Sequence, residues 1–366
     1  MYTSRILLHD PALPDGSLVL VTGANGYTAA HVCNQLLLAG YRVRGTVRSL
    51  ERTQWLADIL NHRYGPGRFE LSNVEMLSEE GAFDEAMKAV DGVIHIASET
   101  SLSTDAEKIL ATATAGALNA LRSAAKETSV KRFVFTSSST AVSMPQANGT
   151  PKQPVDQSIY NESAIRYAHG LSDPSKSVPN RNPGVAEGYV VYAASKAVAE
   201  KAVWKFVEEE KPGFVVNSVV PNATFGAPID PLRTTPSVSV AVNLFKATLE
   251  EDLAVKMARF MPPKWSIDVQ DCGRLHVAAL LSKSLEKERL FGFVEQTNWN
   301  LALGTWRKEF PQREFVEDFN YEGTGMDESD ALVVRERADQ VLKGIGYGGF
   351  RVSLAQSLKE TVQAFL

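Results

Sequence analysis

Cysteine is nearly absent from this chain: Cys33 and Cys272 are the only two among 366 residues. Two such cysteines cannot build a disulfide framework, and they lack metal-ligand spacing. Histidine is sparse as well, six residues scattered singly, so no metal is expected. Neither sign of charge dominates: 38 Lys and Arg against 43 Asp and Glu leave a net charge of −5. That balance gives no electrostatic grip on a nucleic-acid backbone. No apolar run approaches the roughly 18 residues of a membrane-spanning helix. The first residues lack the apolar core of a secretory signal and are broken by Pro11 and Pro14. The glycosylation-like triplets at Asn148, Asn161 and Asn222 therefore read as chance matches. The expectation is a cytoplasmic globular protein with neither nucleic-acid nor membrane partners. Internal repeats and low-complexity tracts are also missing.

What the chain does have is alternation. Val- and Ile-rich runs at 17–22, 41–47, 68–74, 92–98, 131–137 and 213–220 predict strands. Helical stretches at 26–39, 79–89, 105–127 and 190–210 fall between them. Continuous apolar strands suit a parallel sheet covered on both faces, and the alternation implies right-handed crossovers. The fold class expected is α/β, a doubly wound, Rossmann-type parallel sheet with a smaller, mainly helical C-terminal substrate lobe. After Pro221 the rhythm changes. Helices are expected near 238–257, 268–283, 331–343 and 353–365, with a possible strand at 290–294. The nucleotide domain is expected over 16–222 with contributions from about 266–296, and the smaller lobe over 223–265 and 297–366. The stretch 144–188 is irregular, rich in Pro, Asn, Ser and Gly, and reads as either functional or disordered.

The first strand runs into Gly23, Gly26 and Ala29, a G-x-x-G-x-x-A spacing that opens the first helix. Gly23 permits the tight turn, Gly26 lets backbone approach a pyrophosphate, and Ala29 keeps helix close to strand. The helix N-terminus then offers free N–H groups to phosphates. An NAD site usually ends the second strand with an acid that accepts from the ribose. Here that strand ends in Arg48, and Arg52 follows. Two arginines and a missing acid favour the 2′-phosphate of NADPH/NADP+.

Tyr192 and Lys196 are four residues apart in a helical stretch, hence on one face. A tyrosine is a poor acid–base group near neutrality unless its anion is stabilised, and a nearby ammonium does that. The same lysine can reach a nicotinamide ribose. The serine cluster at 136–140 ends the fifth strand, where such sheets deliver residues to a ligand crevice.

In this order, TGANGYTA, RGTVR, HIAS, RFVFTSSS, YAASK, PNATFG and the late LKGIGY…SLAQSLKETV resemble the extended short-chain dehydrogenase/reductase family over nearly the whole chain. The pattern is similar to its dihydroflavonol-reductase-like branch, and within that to yeast and fungal NADPH-dependent aldehyde and carbonyl reductases. The resemblance implies catalytic roles for Ser138, Tyr192 and Lys196. It implies cofactor contacts at Thr22, Gly23, Asn25, Gly26 and Tyr27, at Arg48 and Arg52, at Ile96, Ala97 and Ser98, at Thr136, Tyr192 and Lys196, and at Pro221, Asn222 and Thr224. Glu75 either takes the family's acidic place beside the adenine or that contact is absent. The implied substrate wall is Leu102, Ser138, Tyr189, Met261 and Lys264. Tyr189 either faces the substrate or supports a loop, and Met261 either lines the pocket or packs. The Ser138–Tyr192 separation of 54 positions exceeds the family's usual one, the surplus falling within 144–188. Asn119 reads as structural, His31, His95 and His276 as core histidines, and Trp204 and Phe206 as core packing.

The function expected is reduction of a small-molecule aldehyde or ketone, aromatic or alkyl, to the alcohol, with Tyr192 as general acid, in a monomer or homodimer. Two alternatives stand beside it: a sugar-nucleotide epimerase or dehydratase on the same fold, and a non-catalytic NADPH-sensing protein. Intact Ser138, Tyr192 and Lys196 speak against the last.

Overall fold

Both faces of the central sheet are covered by helices, which is why its strands are apolar runs. The computed structural model describes residues 5–145, 154–172, 185–232, 236–321 and 323–366. Strands are β1 (Leu18–Val21), β2 (Arg42–Val47), β3 (Phe69–Asn73), β4 (Gly92–His95) and β5 (Arg132–Thr136). Then come β6 (Val215–Pro221), β7 (Ala223–Phe225), β8 (Lys264–Asp268), β9 (Arg289–Gly292) and β10 (Glu295–Thr297). Helices in the first half are α1 (Tyr27–Leu38), α2 (Leu50–Tyr64), α3 (Asp84–Met87), α4 (Ala106–Lys126), α5 (Glu162–Ser172) and α6 (Val185–Glu210). Those in the second are α7 (Pro236–Lys246), α8 (Leu253–Phe260), α9 (Val269–Leu281), α10 (Trp299–Glu309), α11 (Leu332–Gly344) and α12 (Leu354–Gln363).

Among the described residues the large sheet runs β3-β2-β1-β4-β5-β6-β9, and every neighbouring pair is parallel. The strand order reverses between β1 and β4, so a crevice opens at the carboxyl ends of those strands. The doubly wound α/β sheet expected from the alternation is the fold observed. On one face, Val19, Val21 and Ile94 pack with Cys33, Leu36, Leu275 and Leu342. On the other, Leu18, Leu20 and Phe133 pack with Phe83, Leu121 and Val203, and Trp204 and Phe206 lean on that cluster. A second, three-stranded sheet, β10-β8-β7, carries the smaller lobe, whose own core includes Phe225, Phe245, Leu303 and Trp306.

The structure corrects several expected elements. Residues 79–89 hold only the single turn α3, because Asp84 is tied to α4 by Ser123 and Lys126 and the chain turns around it. The helix expected over 238–257 is two, α7 and α8. Asp252 accepts from the Thr248 and Leu249 amides, which turns the chain between them. The stretch 144–188 contains α5, and residues 146–153 and 173–184 lie outside the described residues, Asn148 with them. Beside its helices the smaller lobe holds the three-stranded sheet of β7, β8 and β10. Helix α11, expected in that lobe, instead sends Ala338, Val341 and Leu342 into the large sheet's core.

Candidate active site

The loop between β1 and α1 lies at the strand-order reversal. Gly23 is at φ 67°, and a Cβ there would stand 3.1 Å from the Cβ of Ala97. Only glycine fits that left-handed, crowded place. Gly26 caps α1 without any side-chain hydrogen bond, and the first turn carries no acid. Its leading amides are thus left for a ligand, as a phosphate-binding helix terminus requires. Asn25 and Gly26 are exposed. The residues present therefore fit a dinucleotide. Two of the expected contact residues have their hydroxyls engaged within the protein. The Thr22 hydroxyl accepts from the Ile96 and Ala97 amides and meets His95 Nδ1, fixing the strand end that carries Ile96, Ala97 and Ser98. The buried Tyr27 side chain donates its hydroxyl to the Gly226 carbonyl at 2.7 Å, leaving its backbone to face a ligand.

Beyond β2, Arg48 and Arg52 are exposed and pair with no carboxylate among the described residues. Ser49 between them caps α2 by accepting from the Arg52 amide. Arg44, earlier on the strand, points elsewhere, to Glu70 and to the Ala86 and Lys88 carbonyls. Glu75 is exposed, and its carboxylate accepts from Asn73 Nδ2 at 3.1 Å.

Strand β5 ends in Thr136, and Ser138 opens the short 3-10 turn Ser139–Ala141. Ser138 Oγ lies 3.0 Å from Thr140 Oγ1. Tyr192 comes from α6. Burial raises its hydroxyl above the ordinary phenol value, and the Ser138 hydroxyl beside it works in the opposite direction. Lys196, one turn along, is buried and donates from Nζ to the Thr136 carbonyl at 2.8 Å. Burial takes its ammonium down to about 8, against the pull of Glu200. The Ser138 hydroxyl thus eases Tyr192 ionisation, and the Lys196 ammonium bonds the strand end. The Thr136 hydroxyl is likewise engaged, with His276 Nε2 at 3.0 Å. Pro221 ends β6, and the Asn222 side chain and carbonyl are held by the Ala223 amide and Thr224 hydroxyl. Ser138, Tyr192, Lys196 and Pro221 to Thr224 thus gather at the carboxyl edge of one parallel sheet.

The expected substrate-wall residues fall in two places. Tyr189 stacks on Tyr192 with ring centroids 6.4 Å apart, and burial pushes its hydroxyl up. Leu102 is 40% exposed at φ 52°, and its carbonyl rests on Gly188, where a Cβ would come within 1.9 Å. Both flank Tyr192. Met261 and Lys264 belong to the smaller lobe. Met261 ends α8 and packs against the lobe's core. Lys264 opens β8, and burial lowers its ammonium to about 8 while Asp327 opposes the shift.

Sequence reading missed the buried Glu200, Arg289 and Asn161. Asn161 Nδ2 donates to the Thr140 carbonyl at 2.9 Å, securing the turn that holds Ser138. A signal for Glu200 did exist: it follows Lys196 by four residues, on the same helix face. Asn119 donates to the Leu77 and Glu79 carbonyls, a structural task.

The family model described as NAD dependent epimerase/dehydratase family matches residues 19–289. Aldehyde reductase 2 of Sporidiobolus salmonicolor is 40% identical over 358 residues, 97% of this chain and 98% of its own length. Ketoreductase adrE of Penicillium rubens is 36% identical over 291 residues, 78% of this chain and 79% of its own. Among solved structures, yeast methylglyoxal/isovaleraldehyde reductase Gre2 complexed with NADPH aligns with a TM-score of 0.76 at 23% identity, covering 95% of this chain and 98% of that one. At that identity the likeness concerns the fold.

Proposed function

The chain belongs to the NAD dependent epimerase/dehydratase family, the extended short-chain dehydrogenases/reductases, and from that membership we propose that it is an NADPH-dependent carbonyl reductase. The observation that carries this reading is the pairing of the Ser138 and Tyr192 hydroxyls at the carboxyl edge of the sheet, with Lys196 one turn behind. The names of the two curated relatives, an aldehyde reductase and a ketoreductase, agree with it.

In this reading the amides of Asn25 and Tyr27 hold the pyrophosphate of the cofactor, with Gly26 leaving room for its approach, and Arg48 and Arg52 take its 2′-phosphate. NADPH is also what the yeast reductase of the same fold contains. When bound, NADPH supplies the hydride that the carbonyl carbon receives. Ser138 donates a hydrogen bond to the carbonyl oxygen, and Tyr192 delivers the proton to it. Burial keeps the Tyr192 proton in place near neutrality, which is the form an acid needs at the start of a reduction. The Lys196 ammonium offsets the phenolate once the proton has left. Tyr189 and Leu102 beside Tyr192, with Met261 and Lys264 of the smaller lobe, form the wall that orients the two substituents of the carbonyl. The stacked ring of Tyr189 favours aromatic or alkyl substituents over sugars.

The test is Tyr192→Phe. The ring still packs, so NADPH binding, followed by nucleotide fluorescence, is retained. Single-turnover reduction of a panel of aldehydes and ketones falls by ~10²–10⁴-fold, the usual worth of a general acid. A near wild-type rate in the variant reassigns the acid. A wild-type protein that oxidises NADPH with no carbonyl compound overturns the reading.

A further inference from the structure

Behind the paired hydroxyls lies a buried ion pair that their chemistry does not directly use. Glu200 and Arg289 are both buried, with Arg289 Nη2 2.9 Å from Glu200 Oε2 and Nε 2.9 Å from Oε1. The carboxylate also accepts from Ser137 Oγ at 2.6 Å and from Ser218 Oγ at 2.7 Å. One side chain of α6 is thereby fastened to β6 and β9 and to the residue that follows β5. Ser137 is the chain neighbour of Ser138. Arg289 in turn donates from Nη1 to the Gln157 and Ile159 carbonyls and lies 4.4 Å over the Tyr160 ring. That segment leads to Asn161, which holds the Thr140 carbonyl.

An ion pair this deep is weak evidence for stability, since hydrophobic residues of like volume often serve as well. Its four-way connection to the reacting corner suggests a different task. We infer that Glu200 is a positioning residue for the reaction: its carboxylate, paired with Arg289, fixes Ser137 behind Ser138, and its negative charge, one helical turn from Lys196, holds the ammonium there. The inference rests on the reductase reading above.

The surroundings of Lys196 leave Glu200 as the anion acting on it. On α6 it lies one turn from Glu200 and one turn from Tyr192. From β5 it meets the Thr136 carbonyl and, at 5.5 Å, the Phe135 ring. His95 of β4 and His276 of α9 both feel the Lys196 charge, and burial keeps both neutral, at about 3 and about 4. Of these groups, Glu200 is the one that raises Lys196.

The experiment compares the wild type, Glu200→Gln, and the double variant Glu200→Gln with Arg289→Gln, which leaves no uncompensated buried charge should the single variant fail to fold. Two readouts are taken on the full chain. The first is the pH profile of kcat for NADPH-driven carbonyl reduction. Its high-pH limb should move down by about one unit in Glu200→Gln, the least expected when a neighbouring opposite charge is removed, and down by less in the double variant, where the Arg289 cation that opposes the carboxylate is gone as well. The second needs no turnover: the titration of Lys196 in protein labelled with 13C-lysine, its resonance assigned by its loss in Lys196→Met. It should move down in parallel. A lowered melting temperature with both titrations unmoved makes Glu200 merely structural and overturns the inference. A wild type that reduces no carbonyl compound overturns the reductase reading instead, and the NMR titration still decides whether Glu200 governs Lys196.

Discussion

Arg48 is exposed where β2 ends, the place at which an NAD site presents an acid to the ribose. A charge-assisted hydrogen bond is worth about 1.5–3 kcal/mol, with exposed groups at the lower end. Arg48→Ala is thus expected to lower kcat/KM for NADPH by roughly tenfold, from about 1.4 kcal/mol per decade. NADH, which has no 2′-phosphate, should be little affected. The ratio of the two values reads the effect, and a wild type that uses both cofactors equally refutes the assignment. At this scale the sequence was generous. Gly23, Arg48, Tyr192 and Lys196 stand out as candidates because each has a chemical reason at a fixed spacing. What spacing does not reveal is that the Thr22 and Tyr27 hydroxyls are spent on Ile96, Ala97 and Gly226, partners far away in the chain.

Helix α6 is the element on which the site depends, carrying Gly188, Tyr192, Lys196 and Glu200 at four-residue intervals along one face. Each member meets a different partner: the Leu102 carbonyl, Ser138, the Thr136 carbonyl and Arg289. Gly188 has a use that opposes helix propensity. Alanine there would favour the helix by about 1 kcal/mol. Its methyl would instead strike the Leu102 carbonyl, and the exposed Leu102 segment, already at positive φ, would be the part to yield. Gly188→Ala should therefore lower the melting temperature, because backbone has to shift, and raise KM for the carbonyl substrate severalfold while leaving NADPH affinity intact. An unchanged KM would detach the Leu102 segment from the substrate wall. Several elements escaped sequence reading for local reasons. Strands β7 and β10 have three residues each, too few for a period to show. Helix α5 is set in a stretch rich in Pro, Asn and Gly, and α10 carries Gly304 within it.

For the whole molecule, the parallel sheet was readable because its strands are buried on both faces and need no alternation. The placement of α11 was not, since its apolar stripe fits either core and long-range packing decides between them. The same dense interior makes acid sensitivity a property of the entire fold. His95 is enclosed by Phe83, Phe133 and Phe135 and bonded to Thr22, His276 lies between Thr136 and the Cys272 carbonyl, and His31 reaches the Ala227 carbonyl. Burial lowers them from 6.5 to about 3, about 4 and about 4. Folded, they stay neutral as pH falls below 6.5, whereas the unfolded chain takes up three protons, so their stabilisation is present above 6.5 and is lost on acidification. Asp268 works the other way. Burial raises it to about 6, so the folded form gains a proton first and stability is favoured at low pH. Lys196 and Lys264, both near 8, stay charged in either state below neutrality and add no slope there. Three protons against one leave a net loss of roughly 4 kcal/mol between pH 7 and pH 5, a large part of the 5–15 kcal/mol typical of folded proteins. Urea unfolding at the two pH values measures this directly. The midpoint should fall sharply at pH 5, and His95→Gln, which can still bond Thr22, should flatten the dependence. A midpoint that stays constant would mean that these histidines take up protons in the folded protein, which the apolar walls around His95 oppose.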